Sequence, residues 1–151
     1  MIEDPTAIVA RSVEDLILLV YRRGGQVDGP GTDALTSTQR LVLVLLADNG
    51  PVRVGALARL AETTEATATR TVTALTRRGL AERGRDPADG RAVLAGLTAA
   101  GRALVEDRRR TLRTSLASGM SELGERDGRH LAELMSRVVR TVRTLPDRAA
   151  D

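Results

Sequence analysis

The amino-acid sequence predicts a mainly α-helical fold with one small β-hairpin. Apolar residues recur at spacings of three and four through most of the chain, which is the period of amphipathic helices. The basic segment from Leu80 to Gly101 has hairpin turn chemistry, follows a helix predicted to end at Gly79, and contains Thr98, which is suited to cap another helix. This order of elements outlines a winged helix-turn-helix, in which the hairpin is the wing.

The first predicted element is an amphipathic helix from Thr6 to Arg23, because its apolar residues follow helical spacing. Gly24 and Gly25 are expected to end this helix. The segment from Gly24 to Asp33 is rich in Gly, Pro and Asp, which favour turns and disfavour helix, so we expect a loop there.

Thr36 and Gln39 begin the second predicted helix, since they have the spacing of a capping box, in which each side chain bonds the other residue's backbone N–H. The run from Leu41 to Leu46 is apolar almost all round, and the helix is expected to end before Gly50 and Pro51. This pattern predicts a helix buried in the centre of the domain.

Two short helices joined by a tight break follow, which is the helix-turn-helix pattern. The first is predicted from Val54 to Ala61, and Thr63 or Thr64 caps a second helix that reaches Arg78. The residues expected to be buried in the second helix are Ala68, Val72 and Leu75. Its outward polar residues are then Thr67, Arg70, Thr73 and Arg77. A polar face of this size fits the DNA major groove, and a solvated helix surface is the alternative.

The tip of the hairpin is predicted from Asp86 to Gly90, where Asp, Pro and Gly favour a turn. Arg91 lies just beyond the tip and is placed to enter a DNA minor groove, whose narrow negative channel favours guanidinium groups. We expect Asp89 to orient Arg91 and so support the wing. The alternatives are an exposed ion pair, or a metal or acid-base pair of Asp86 and Asp89, for which no nearby His or third carboxylate exists. The predicted DNA-binding residues are Thr64, Thr67, Arg70, Thr73, Arg77, Arg85 and Arg91.

The C-terminal part is predicted to form a helix from Thr98 to Met120 and another whose apolar stripe runs from Leu131 to Leu145. Two copies packed about a two-fold axis would bury these stripes with that of the first helix, and would set two recognition helices about 34 Å apart. A self-contained monomeric bundle is the alternative. The predicted organisation is a helical dimerisation region at residues 1–34 and 99–151, with a DNA-binding region at residues 35–98.

The composition excludes several kinds of site. The chain has 151 residues, no Cys and one His, so it can form no disulfide framework, and His130 cannot build a zinc site unaided. No cofactor is expected. The sequence contains no apolar run of membrane-spanning length and no secretory signal, which predicts a cytoplasmic protein without membrane contacts.

Positive charge is concentrated in the predicted DNA-binding region. All 23 basic residues are Arg. Residues 53–102 hold nine Arg and five acidic residues, a net charge of +4, whereas the rest of the chain holds fourteen Arg and fifteen acidic residues, a net charge of −1. This distribution favours a polyanionic partner such as double-stranded DNA.

Other classes of function fit the sequence less well. Recognition of RNA or single strands uses aromatic platforms, and Tyr21 is the only aromatic residue. An enzyme needs a nucleophile with a base, and His130, which suits a surface or packing position, has no evident partner in the sequence. A helical small-molecule-binding or protein-interaction module with a vestigial winged helix stays open as the alternative.

From Leu35 to Gly101 the chain resembles the multiple antibiotic resistance regulator (MarR) family of bacterial transcription factors. The matching residues are Leu35, Thr36, Gln39, Leu57, Ala58, Thr69, Arg70, Leu75, Arg78, Gly79, Leu80, Arg83, Asp86, Pro87, Asp89, Arg91, Leu97, Thr98 and Gly101. The spacing of Asp89 and Arg91 before Thr98 is far more selective than a general helix-turn-helix pattern. Flanking predicted helices extend the resemblance across most of the chain.

The resemblance implies a homodimer that binds a pseudo-palindromic operator, usually as a repressor, and often releases it when a small phenolic or lipophilic ligand binds. It implies that the helix with Thr67 and Arg70 enters the major groove and that Arg91 enters the minor groove. Two residues depart from the family pattern. Gly90 stands where the family often has a charged residue. Glu65 is acidic near the expected phosphates, where it favours the positive helix end or accepts from a cytosine amine, and we favour the first.

Overall fold

The computed structural model of the chain describes residues 4–23 and 35–144, of which residues 17–23 are described by their backbone alone. The predicted loop from Gly24 to Asp33 and Leu145 of the predicted C-terminal stripe lie outside the described residues. Within the described part the elements, in chain order, are α1 (Pro5–Arg23), α2 (Ser37–Asn49), β1 (Val52–Arg53), α3 (Val54–Leu60), α4 (Glu65–Arg77), β2 (Ala81–Arg85), β3 (Val93–Leu97), α5 (Ala99–Gly119) and α6 (Glu125–Arg143). The mainly helical fold with a small hairpin is therefore confirmed.

The predicted capping box of α2 is present. The Thr36 hydroxyl accepts from the backbone N–H of Gln39 at 3.1 Å, and the backbone N–H of Thr36 donates to Gln39 Oε1 at 3.0 Å. The helix ends at Asn49, where Gly50 adopts a φ of +72° that favours glycine. Both helix ends are thus encoded by local sequence.

The prediction that α2 is buried in the centre of the domain holds for one face of the helix only. Val42, Leu43 and Leu46 are buried, whereas Leu41 and Val44 are 43% and 41% exposed. The helix packs against α4, β3 and α3, and its buried residues Val42, Leu43 and Leu46 form the face that joins the core. Its outer face therefore presents branched apolar side chains to solvent.

A three-stranded antiparallel sheet carries the wing, with strand order β1, β3, β2. Val52 in β1 pairs with Ala95, and β2 pairs with β3 from Ala81 opposite Leu97 to Arg85 opposite Val93. Sequence analysis missed β1, because two residues between a proline and a helix carry no alternation of their own. Pairing with β3 makes them a strand.

The hydrophobic core lies among α2, α3, α4 and the sheet. Its largest fully buried side chains are Leu46, Leu57, Leu75, Val42 and Val72. Ala95 and Leu97 of β3 join them from the sheet, so the wing is rooted in the same core as the helix-turn-helix. This shared core fixes the base of the wing beside α4.

The junction between the hairpin and α5 is tightly closed. Thr98 caps α5 as predicted, since its hydroxyl accepts from the backbone N–H of Gly101 at 3.0 Å and donates to the carbonyl oxygen of Gly79 at 2.6 Å. Gly101 is buried, and a Cβ at this position would overlap the carbonyl oxygen of Leu80. Only glycine permits this approach.

The chain divides into two compact units, residues 1–106 and residues 107–151. The second unit contains the end of α5 and all of α6, and its exposed large apolar residues are Leu112, Leu116, Leu123, Leu131, Leu134, Met135, Val139 and Val142. In the first unit, α1 likewise exposes Ile8, Val9 and Leu16. Among the helices of the described residues, none combines the length and the apolarity that crossing a membrane requires.

Candidate nucleic-acid interface

Helix α4 presents the polar face that the sequence predicted. Thr64 is its N-cap, and the Thr64 hydroxyl accepts from the backbone N–H of Thr67 at 3.2 Å. The Thr64 hydroxyl also donates to the Thr67 hydroxyl at 2.9 Å. The Thr67 hydroxyl accepts a second, longer hydrogen bond of 3.4 Å from Arg70 Nη2. Arg70 and Arg77 are exposed, while Thr67 and Thr73 are half-buried. The first two turns of α4 therefore carry a connected set of hydroxyls beside an exposed guanidinium.

Thr73 is engaged inside the protein. Its hydroxyl donates to the carbonyl oxygen of Thr69 at 2.7 Å and accepts from Arg83 Nη2 at 2.5 Å. A hydroxyl has one hydrogen to donate, so the donor of Thr73 is already used. Arg83, which the sequence analysis placed only among the family matches, is thereby a member of the site.

The wing loop is held by its own backbone and by Asp89. The backbone N–H of Asp86 donates to Ala92 O at 3.0 Å, and that of Ala92 donates to Asp89 O at 2.8 Å. Asp89 Oδ1 accepts from the backbone N–H of Arg91 at 3.1 Å, so Asp89 meets Arg91 through the main chain. The Arg91 side chain is exposed beyond the tip. Arg85 is exposed at the end of β2.

An ion pair at the base of the wing links it to the helix-turn-helix. Asp86 Oδ2 lies 2.7 Å from Arg53 Nε and 2.6 Å from Arg53 Nη2, and Asp86 Oδ1 accepts from the backbone N–H of Ala88 at 2.8 Å. Asp86 is 9% exposed. Arg53 occupies the N-cap of α3, where it makes no capping bond. Sequence analysis missed this pair because 33 residues separate its members and only the pairing of β1 with β3 brings them together.

The pKa of Asp86 lies below its ordinary value, first because the backbone N–H of Ala88 bonds the charged form and next because the Arg53 guanidinium does. Among the described residues, no group of three or more His, Cys, Asp or Glu is placed to hold a metal ion. The carboxylate of Asp86 therefore has a structural role at the root of the wing.

The lowered pKa predicts a pH-dependent contribution to stability. A carboxyl whose pKa is lower in the folded than in the unfolded chain stabilises the fold above the ordinary value of 3.8, and this contribution disappears as the pH falls through the lower, folded value. Thermal melts of the wild type and Asp86→Asn should therefore differ most near neutral pH and converge below about pH 4. Glu82→Gln, at an exposed position of β2, is the control. A difference that stays constant from pH 7 to pH 3 would contradict the prediction.

A basic cleft of about 510 Å³ lies between the start of α3, the start of α4 and the wing. Four guanidinium groups line it, those of Arg53, Arg59, Arg83 and Arg91. Arg53 and Arg83 bond to the protein as described above, whereas the structure gives the Arg59 and Arg91 side chains no hydrogen bond or ion pair with any described residue. Sequence analysis missed Arg59. An exposed arginine in the first helix of a helix-turn-helix could have indicated it, because that helix crosses the phosphate backbone.

Glu65 lies in the same cleft as the first residue of α4. A Cβ on Gly55 would be 3.6 Å from Glu65 Oε2, which places the carboxylate over the start of α3. The carboxylate thus lies near the amino-terminal ends of both helices, where the aligned backbone N–H groups favour negative charge. This position supports the first of the two roles considered for Glu65.

Comparisons with known proteins agree on this architecture. The MarR family model matches residues 35–93. Over 134 residues, covering 86% of this chain and 94% of the relative, the sequence is 34% identical to an HTH-type transcriptional regulator of Mycobacterium bovis. The fold is similar to that of a MarR family protein from Bacillus stearothermophilus, with a TM-score of 0.77 at 20% identity over 95% of this chain and 99% of that one. It is also similar to Streptococcus pneumoniae FabT in complex with DNA, with a TM-score of 0.76 at 16% identity over 95% of this chain and 100% of that one.

Proposed function

Since the chain belongs to the MarR family, whose members are DNA-binding transcriptional regulators rather than enzymes, we propose that it acts as a homodimeric, ligand-responsive repressor on an inverted-repeat operator. The observation that carries the proposal is the basic cleft, with exposed Arg70 on α4 and exposed Arg91 on the wing. Two separated guanidinium groups with a basic cleft nearby suit a duplex, which offers bases in its grooves and phosphates between them.

The proposed contacts divide between two grooves. Helix α4 enters the major groove, where Thr67 and Arg70 face base edges from its amino-terminal turns. Arg91 enters the neighbouring minor groove, whose negative potential favours an inserted arginine. Arg59 then faces the phosphates between the grooves. The remaining predicted contacts are those of Thr64, Thr73, Arg77 and Arg85, with Asp89 as support for the wing.

The exposed apolar faces support the proposal of a homodimer. Five apolar residues of α6 are at least a third exposed in the single chain, namely Leu131, Leu134, Met135, Val139 and Val142, and Ile8 and Val9 of α1 are nearly half exposed. An exposed row of large apolar side chains on a helix is typical of an interaction site. A two-fold axis would pair identical faces and give residues 1–34 and 99–151 the dimerisation role and residues 35–98 the DNA-binding role.

The response to a ligand is proposed on the outer face of α2. Leu41 and Val44 are large, apolar and exposed, which suits one wall of a site for a small lipophilic or phenolic molecule. A related structure supports the idea, since PcaV from Streptomyces coelicolor was solved in complex with its natural ligand, with a TM-score of 0.55 and 22% identity. Ligand binding that favours a DNA-free arrangement would release the operator.

Selection from a random duplex pool tests the proposed function. The full-length protein is expected to enrich an inverted repeat whose half-sites lie about 10 base pairs apart, because two recognition helices related by a two-fold axis contact successive turns on one face of DNA. A random single-stranded pool is the control and should yield no common sequence. Failure to enrich any duplex at low ionic strength would overturn the proposed function, and enrichment of a single half-site would contradict the homodimer.

A further inference from the structure

Arg83 connects the wing to the helix proposed to enter the major groove. Its side chain leaves β2 and its Nη2 donates to the carbonyl oxygen of Thr69 at 3.0 Å and to the hydroxyl of Thr73 at 2.5 Å. Thr73 itself donates to the same carbonyl oxygen. These three groups form a closed hydrogen-bonded cluster between a strand of the wing and the middle of α4. The cluster joins residues 10 and 14 positions apart in the chain.

The cluster joins the two segments that carry the groups proposed to enter the grooves. Arg70 directly follows Thr69 on α4, and Arg91 stands two residues before β3, the partner strand of β2. Arg83 pairs with Ala95 of β3 in the sheet. A displacement of β2 relative to the middle of α4 would therefore break the bonds of Arg83.

We propose that Arg83 is a positioning residue that sets the wing against α4, so that Arg70 and Arg91 engage their two grooves as one unit. The inference rests on the proposed function and assigns different roles to the arginines of the cleft. Arg59 and Arg91 face the nucleic acid, whereas Arg83 acts on it through the wing. Thr73 then belongs to the positioning cluster, because its hydroxyl hydrogen is used within the protein.

Arg83→Lys separates positioning from phosphate contact. Lysine keeps the positive charge, but its ammonium nitrogen lies one bond nearer the backbone than Arg83 Nη2, the atom that donates both hydrogen bonds. If Arg83 positions the wing, this variant should bind the selected operator about fivefold more weakly, while the slope of log K against log salt stays unchanged. Arg85→Gln, two residues along the same strand, is the matched control and should flatten that slope by about one unit. A flattened slope in Arg83→Gln together with wild-type affinity in Arg83→Lys would overturn the proposal.

The energetic coupling between Arg70 and Arg91 in operator binding supplies a second measurement. In the wild-type background the losses from Arg70→Ala and Arg91→Ala should combine non-additively, because one rigid unit delivers both groups. In the Arg83→Lys background the fold-losses of operator affinity from the two substitutions should multiply, as expected for independent contacts. Equal coupling in both backgrounds would overturn the proposal, since a residue that only stabilises the fold leaves the coupling unchanged.

Amide hydrogen exchange of the DNA-free protein tests the role of Arg83 in the wing without relying on the proposed function. The wing amides of Asp86, Asp89 and Ala92, which are bonded in the loop, should exchange about fivefold faster in Arg83→Lys than in the wild type. Thr73→Val removes one of the two acceptors of Arg83 while leaving Arg83 in place, and should also speed this exchange if Arg83→Lys folds poorly. Wild-type exchange in both variants would overturn the positioning role even where operator binding is intact.

Discussion

Gly101→Ala is expected to lower the free energy of unfolding by about 2 to 3 kcal/mol. The added methyl group would overlap the carbonyl oxygen of Leu80 and would lie 3.3 Å from the Leu97 side chain. That carbonyl oxygen accepts from the backbone N–H of Thr98 at 3.2 Å, so the main chain cannot move away without losing a hydrogen bond at the start of α5. Chemical denaturation at one fixed protein concentration measures the effect, since the stability of the proposed homodimer would depend on concentration.

Gly119→Ala in the same helix is the matched control. A Cβ at Gly119 meets no atom within 4 Å, so this substitution should change the free energy of unfolding by less than about 1 kcal/mol. Equal stability of the two variants would show that the approach of Gly101 to Leu80 is not a tight constraint.

Arg70→Ala combined with Arg91→Ala is expected to weaken operator binding by about 3 kcal/mol in total, while the fold stays intact. Each side chain is exposed and free of the core, so its removal creates no cavity. An arginine that contacts base edges contributes about 1 to 3 kcal/mol, and its loss relaxes specificity at the contacted position. Fluorescence anisotropy with the selected operator measures the loss, and selection with each single variant identifies the position that becomes degenerate.

The control for this pair is Arg129→Ala. Arg129 is exposed on α6 in a weak ion pair with Glu125 at 3.4 Å, and its removal should leave operator affinity unchanged. Wild-type affinity of the double variant would show that neither Arg70 nor Arg91 contacts the operator. A loss equal to that of the double variant in Arg129→Ala would indicate a general charge effect instead.

Local sequence was sufficient for most helix ends and for the hairpin. The capping box of Thr36 and Gln39, the caps at Thr64 and Thr98 and the glycine after α2 depend on bonds between residues at most four positions apart. Such bonds can be inferred from residue type and spacing alone. The wing could be predicted for the same reason, because its turn residues are adjacent in the chain.

The limits of the sequence pattern are clearest in α2. A run of six apolar residues, from Leu41 to Leu46, gave no periodicity by which to choose an inner face, and it predicted a helix buried in the centre of the domain. The structure buries Val42, Leu43 and Leu46 but exposes Leu41 and Val44. Which face lies inward depends on where α3, α4 and β3 stand, and these positions are set by packing.

The sequence by itself determined the helices, most of their caps, the hairpin and the concentration of arginine in residues 53–102, because each of these depends on neighbouring residues or on composition. Only the tertiary structure decided which arginines of the cleft bond to other protein groups. Arg53 meets Asp86 across 33 positions, and Arg83 meets Thr69 across 14. Partners so far apart are selected by strand pairing and by the shared core, which bring distant segments within hydrogen-bonding distance.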